Sequence, residues 1–167
     1  THVAGTIAAV GDNGQGIVGV AWKCRVMALK GLSDEGSGSS DDLARAIVYA
    51  ANNGARVINM SWGGQGRSKV LEDVLRYAYG KGVVLVAAAG NSNTDAAGFT
   101  PANVAEVITI ASTDHTDHKS SFSNWGTKID VAAPGGDSTT EGDAKKTYAN
   151  ILSCRARGTD MYGDGKT

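Results

Sequence analysis

Val83-Val-Leu-Val-Ala-Ala88 is an uninterrupted apolar run, and it reads as a strand of a parallel sheet, buried on both faces. Just upstream, Ser68 is placed to cap a helix with Val70, Leu71, Val74, Leu75 and Ala78 facing inward, stopped by Gly80 and Gly82. Before that helix, Arg56-Val-Ile-Asn-Met60 reads as a second short strand. An earlier helix starts at Ser39 or Ser40, with Asp41 and Asp42 set against the positive end of its dipole. Leu43, Ala46, Ile47, Ala50 and Ala51 give it an apolar stripe, and Gly54 ends it. Arg25-Val-Met-Ala-Leu-Lys30 alternates and is expected to be a strand too, as are Val107–Ala111 and Ile129–Ala132. The Ala-rich stretch Thr1–Val10 reads as helix.

Strand, helix, strand, helix, strand is the pattern of an α/β fold built on a parallel sheet with right-handed crossovers. Ligands of such sheets gather at the carboxyl ends of the strands. Three loops rich in Gly, Ser or Asn arrive there: Ser33–Ser40, Ser61–Gly66 and Ala89–Thr94. After about Gly135 the pattern fades into a polar stretch, Gly136–Ala144, followed by Tyr148–Ser153.

Composition narrows the function. The 167 residues carry 16 Lys+Arg against 17 Asp+Glu, a net charge of −1, so no long-range field recruits nucleic acid or an anionic membrane. No apolar run approaches the roughly 20 residues of a membrane helix. Hydrophobic residues at 41% exclude a disordered tail, and the size suits one domain or a piece of one. Glycine, at 23 residues with only 2 prolines and no G-X-Y period, serves tight turns and close backbone approaches. Cys24 and Cys154 are read as free, buried thiols.

Several local motifs have a bland reading beside the functional one. Gly14-Gln-Gly-Ile-Val-Gly19 matches the dinucleotide fingerprint, but that motif needs a strand before it and a helix after it, and neither is expected. Asp114-His-Thr-Asp-His118 holds metal-ligand chemistry, yet neighbouring loop positions seldom converge on one ion, so a solvated loop is the reading. Asn59-Met-Ser61 is a formal glycosylation sequon at a strand end expected to be buried, hence unmodified. Asn91 after Gly90 is, on its own, an Asn-containing turn.

Taken together, Thr1-His-Val-Ala-Gly-Thr6, Gly36-Ser-Gly38, Val57-Ile-Asn-Met-Ser-Trp-Gly-Gly64, Val86-Ala-Ala-Ala-Gly-Asn91, Ser121-Phe-Ser123 and Ile129-Asp-Val-Ala-Ala-Pro-Gly135 resemble the subtilisin-like serine peptidases, in that family's order and spacing. The resemblance implies a three-layer parallel β-sheet flanked by helices. It also implies peptide-bond hydrolysis by an Asp–His–Ser triad, in which serine attacks, histidine moves the proton and aspartate holds the histidine. None of the three triad residues is matched here. His2 aligns with the second histidine of the family's H-G-T-H-V-A-G, not with the base, and Gly158-Thr-Asp-Met161 carries Asp160 where the nucleophile would stand. The expectation is an interior fragment of the domain, incomplete at both ends and inactive alone.

What the resemblance carries over is the binding half of the site. Asn91 corresponds to the family's oxyanion-hole asparagine, whose amide meets the charge developing on the tetrahedral intermediate; in subtilisin, loss of that donor costs about 10²–10³ in kcat. Gly36, Ser37 and Gly38, with Ser61, Trp62 and Gly63, correspond to two walls that hold substrate as an extended strand. Ala88, Ala89 and Gly90, with Ser61–Gly63, line the primary side-chain pocket, whose small uncharged walls suit apolar or varied side chains. Trp62 reads equally as a subsite edge or as a half-exposed rim tryptophan. The chemistry needs no cofactor. Val10–Ile17 falls where many members bind a structural calcium, with Asp12, Asn13 and Gln15 as oxygen donors, and it reads equally as an ordinary Gly-rich turn. The partners implied are protein or peptide substrates, without nucleic acid or membrane, and the protein is expected to be a secreted monomer. The rival readings are a pseudopeptidase that binds extended peptides without cleaving them, and a nucleotide-binding domain resting on Gly14–Gly19.

Overall fold

A computed structural model describes residues 1–137 and 150–154. Among these, Thr1–Val26 and the residues from Ile151 onward form one compact unit, and Met27 onward through Asn150 form another. Most of the polar stretch Gly136–Ala144, the start of Tyr148–Ser153 and all of Gly158–Met161 lie outside the described residues.

In the first unit, helix α1 spans His2–Ala8, within the stretch expected to be helical. The chain then turns back: Gly19, Val20 and Ala21 donate their amides to Ala9 O, Thr6 O and Ile7 O at 2.8–3.0 Å. Residues 151–154 dock on the helix. His2 Nε2 lies 3.0 Å from Ile151 O, Ser153 Oγ donates to His2 O at 2.6 Å, and Thr6 Oγ1 donates to Ser153 Oγ at 3.0 Å. That approach needs Gly5, where a Cβ would stand 2.6 Å from Ser153 Oγ and 2.8 Å from Cys154. Both cysteines are free, as expected, but Cys24 is exposed and Cys154 only half-buried. A thiol on a loop that turns back over a seven-residue helix has too little packed around it to be buried.

The second unit is the α/β fold expected from the strand–helix alternation. Helix α2 spans Ser40–Asn52 and helix α3 Lys69–Gly80. Strands β1 (Val57–Met60), β3 (Val84–Ala88), β5 (Val107–Thr113) and β6 (Val131–Pro134) form a parallel sheet in the order β1-β3-β5-β6. The two-residue strands β2 (Gly64–Gln65) and β4 (Phe99–Thr100) pair antiparallel apart from it. Both helix starts carry the side chains that the sequence offered. Ser39 Oγ accepts from the Asp42 amide at 3.1 Å, and Ser68 Oγ accepts from the Leu71 amide at 3.4 Å. Leu43, Ala44 and Ile47 of α2 and Leu71, Leu75 and Ala78 of α3 pack with Met60, Leu85, Ala87 and Val107 into one core.

The structure corrects several expectations. Arg25–Lys30 joins no sheet, and all six residues are exposed. Alternation suits a strand, yet only a hydrogen-bonded neighbour makes one, and no strand of the sheet pairs with this segment. β3 is not buried on both faces. Leu85 and Ala87 face the helices, whereas Val84 is 45% exposed and Ala88 is exposed, because α2 and α3 share one core on one face. Val70 of α3 likewise faces outward, and Glu72 is buried in its place. β6 begins at Val131 rather than Ile129: the Ile129 amide closes a turn on Gly126 O, and Asp130 Oδ2 accepts from the Thr109 amide at 2.8 Å. Asn59 is exposed rather than buried, on the side of β1 away from Met60.

Candidate functional site

Parallel pairing decides what meets at the carboxyl edge of the sheet. Met60, the last residue of β1, is in register with Ala87 of β3, so Ser61-Trp-Gly63 and Ala88-Ala-Gly-Asn91 leave neighbouring strands side by side. The Gly36–Gly38 loop leads directly into the Ser39 cap of α2. Two of the segments singled out from sequence, Ser61–Gly63 and Ala88–Asn91, thus leave one edge of the sheet together.

Each segment is held by its own bonds. Asn59 Nδ2 donates to Ser61 Oγ at 2.9 Å. Trp62 is half-buried and packs against the main core, while Ser61 and Gly63 are exposed. β2 then ties this segment to β4, with Gly64 opposite Thr100 and Gln65 opposite Phe99. Thr100 Oγ1 donates to Gly66 O at 2.8 Å and accepts from the Ser68 amide at 3.3 Å. The Gly36–Gly38 loop closes on itself, the Ser33 amide donating to Ser37 O at 2.7 Å and the Gly36 amide to Ser33 O at 3.1 Å. Its two acids stay charged. Lys30 holds Asp34 below the ordinary carboxylate range, and the Ser33 hydroxyl does the same for Glu35.

The Ala88–Asn91 segment turns sharply out of β3. Ala89 is buried at 2% exposure and packs with Ala96, Ala102, Phe99 and Ile129. Gly90 takes φ +105°, a conformation that side-chain-bearing residues rarely adopt, and Asn91 emerges exposed. The residue that sequence reading missed stands behind this turn. Asn124, fully buried, donates from Nδ2 to Ala89 O at 2.9 Å and accepts at Oδ1 from the amides of Ser92 (2.9 Å) and Thr94 (3.2 Å). Ser121-Phe-Ser123 marked the neighbourhood, but no local pattern announces a contact across more than 30 positions.

Other candidates fall outside this convergence. A cavity of about 740 Å³ lies between residues 29–39 and α2; it takes in Ser37 and Gly38 but none of Ser61–Gly63 or Ala88–Asn91. The Val10–Ile17 loop of the first unit lines a second cavity of about 290 Å³. Asp12, Gly14 and Gly16 there have positive φ, and Asn13 Oδ1 accepts from the Gln15 amide at 3.0 Å. Its side chains are hard oxygen donors with one carboxylate, chemistry that fits calcium rather than a transition metal. Neither a strand before Gly14 nor a helix after Gly19 is present, so the dinucleotide context fails. Asp114 folds its loop on itself, accepting from the Thr116 amide, the Thr116 hydroxyl and the His118 amide at 2.8–3.0 Å, bonds that also lower its pKa. Among the described residues no three His, Cys, Asp or Glu side chains are grouped to hold a metal.

The parallel sheet flanked by helices is a fold that this chain shares with subtilisin-like proteases. The chain belongs to the Subtilase family, whose model matches residues 1–165. It is 47% identical over 137 residues to a thermophilic serine proteinase of Bacillus sp. (strain AK1), covering 82% of this chain and 34% of that protein. It is also 47% identical over 135 residues to thermitase of Thermoactinomyces vulgaris, covering 81% of this chain and 48% of thermitase. Among solved structures, a protease of Pseudoalteromonas arctica superposes with a TM-score of 0.81 at 36% identity, covering 92% of this chain and 50% of that one. The chain therefore spans half or less of the length of these relatives.

Proposed function

We propose that the chain is the middle part of one catalytic domain of a secreted, monomeric serine endopeptidase, which hydrolyses peptide bonds in proteins through an acyl-enzyme. The triad members belong to parts of the domain outside these residues. Substrate lies as an extended strand between Gly36–Gly38 and Ser61–Gly63, and its scissile carbonyl meets the Asn91 carboxamide. As the nucleophile attacks, negative charge builds on the carbonyl oxygen, and a donor already in place stabilises it without reorganising. Main-chain recognition makes low demands on substrate sequence, and the small side chains of Ser61, Gly63 and Ala88 suit apolar or varied residues beside the scissile bond. The chemistry takes no cofactor. Calcium, held by Asp12, Asn13 and Gln15, would serve structure in the first unit.

The observation that carries this reading is the exposed Asn91, which follows the positive-φ Gly90 just beyond the end of β3. The test is Asn91→Ala in the complete protein. Loss of the donor is expected to lower kcat about 10²–10³-fold, as in subtilisin, with KM little changed. Wild-type turnover in the variant overturns the role of Asn91. Saturable binding of peptides by the complete protein, with no cleavage and no labelling by a fluorophosphonate, favours the pseudopeptidase reading instead.

A further inference from the structure

We infer that Asn124 is the positioning residue that sets the Asn91 donor, an inference that rests on the oxyanion role proposed for Asn91. Four backbone groups flank Asn91 in the turn, and all four bond to this single residue. Ala89 O accepts from Asn124 Nδ2, and Gly90 O accepts from the Asn124 amide at 2.9 Å. The amides of Ser92 and Thr94 donate to Oδ1. Asn91 is thus pinned on both sides while its own side chain stays exposed.

The chemistry of the carboxamide is specific to this task. One donor must face a carbonyl and one acceptor must face two amides within a single planar group, which asparagine offers and which ionised aspartate, leucine or serine does not. Access depends on Gly90, where a Cβ would stand 2.5 Å from Asn124 Nδ2. Asn124 is anchored in turn: Ser123 Oγ donates to Asn124 O at 3.0 Å and accepts from the Ser112 amide of β5 at 2.9 Å. A second brace comes from Lys119, whose Nζ donates to Asn93 Oδ1, Ser120 O and Ser123 O at 2.9–3.1 Å. The turn is therefore fastened to the sheet through Asn124 and Ser123, both buried. A donor for a transient oxyanion must be in place before the charge appears, and a displacement of about 1 Å can cost 10²-fold. Asn124 acts on kcat through Asn91 and leaves ground-state binding at Gly36–Gly38 and Ser61–Gly63 alone.

The experiment is a double-mutant cycle in the complete protein between Asn91→Ala and Asn124→Ser, with Tm recorded for every variant. Asn124→Ser shortens the side chain below the reach of the turn. It is expected to lower kcat at least about tenfold with KM within about twofold, and to cost nothing further once Asn91 is alanine. Asn124→Asp, which keeps the acceptor and loses the donor, covers the case in which the serine variant does not fold; it is expected to show the same non-additivity with a smaller loss. Equal kcat losses in the presence and absence of Asn91 overturn the inference, as does a lowered Tm with kcat intact. Unchanged turnover in Asn91→Ala alone is a separate result: it removes the oxyanion reading, and the positioning role goes with it.

Discussion

At the scale of single residues, the turn after β3 depends on two facts about Gly90 that can be separated by experiment. Its φ of +105° disfavours any side chain, and the space for a Cβ is already taken by Asn124. Gly36 shares the first constraint, with φ +78°, but has open space around the same position. Gly36→Ala is thus expected to cost only the left-handed backbone penalty of roughly 1–2 kcal/mol. Gly90→Ala adds displacement of a buried carboxamide with three hydrogen bonds, and a loss larger by at least about 1 kcal/mol follows. Urea unfolding of the two variants of the complete protein checks this, and equal losses would show that Asn124 gives way freely. Here the limits of sequence reading are also plain. Gly90 and Asn91 announce themselves because the segment Val86–Asn91 is contiguous. Asn124 does not, because its partners lie 30–35 positions away and burial of one polar side chain leaves no periodic trace.

At the scale of elements, what is encoded locally was legible. The serine caps, the glycine stops and the apolar stripes of α2 and α3 are properties of neighbouring residues, and both helices lie where those signals place them. Elements defined by their partners were not. β2 and β4 are two residues each and exist only because Gly64-Gln65 and Phe99-Thr100 meet, whereas Arg25–Lys30 has the alternation of a strand and no pairing in the sheet. Helix α3 shows the same split on its buried face. Glu72 reads as a solvent position, but the residue is only 6% exposed, and Arg67 Nε donates to its Oε1 at 2.9 Å with Nη2 equally close. That hydrogen bond, together with the charge of Arg67, holds Glu72 below the ordinary glutamate range. A carboxylate whose pKa is lowered by folding stabilises the fold above its unfolded value, and the contribution disappears as pH falls through the folded value. Glu72→Gln is therefore expected to lower the urea midpoint near neutral pH and to converge with wild type in acid. A difference that stayed constant down the acid range would rule out the ion pair as its source. For the Val10–Ile17 loop, calcium is expected to raise the Tm of the complete protein and Asp12→Ala to abolish the rise; a rise that survives the substitution would place the ion elsewhere.

At the scale of the molecule, the sheet has a face that the described residues of its own unit leave open. α2 and α3 pack on the side of Met60, Leu85, Ala87 and Val107. On the opposite side, Val57 is 58% exposed, Val84 45%, Ile108 39% and Val131 49%. The ladder makes these neighbours, since Val57 pairs with Val84, Val86 with Ile108, and Ile110 with Val131. Parallel sheets occur with both faces covered, because strands joined by crossovers carry apolar side chains on each side. The three-layer architecture implied by the family resemblance thus needs a further layer over Val57, Val84, Ile108 and Val131. The relatives are two to three times as long as the segment matched here, which is length enough to supply one. The 167 residues expressed alone are accordingly expected to bind a dye specific for exposed apolar surface, to self-associate, and to take no label from a fluorophosphonate. The complete protein should bind no such dye and should label once per chain. Changing Val84 and Ile108 together to threonine separates the causes. If the open face drives the behaviour, the isolated chain loses dye binding and the complete protein loses stability, since there the same side chains are buried. Dye binding that persists unchanged in the double variant would locate the exposed apolar surface elsewhere in the chain.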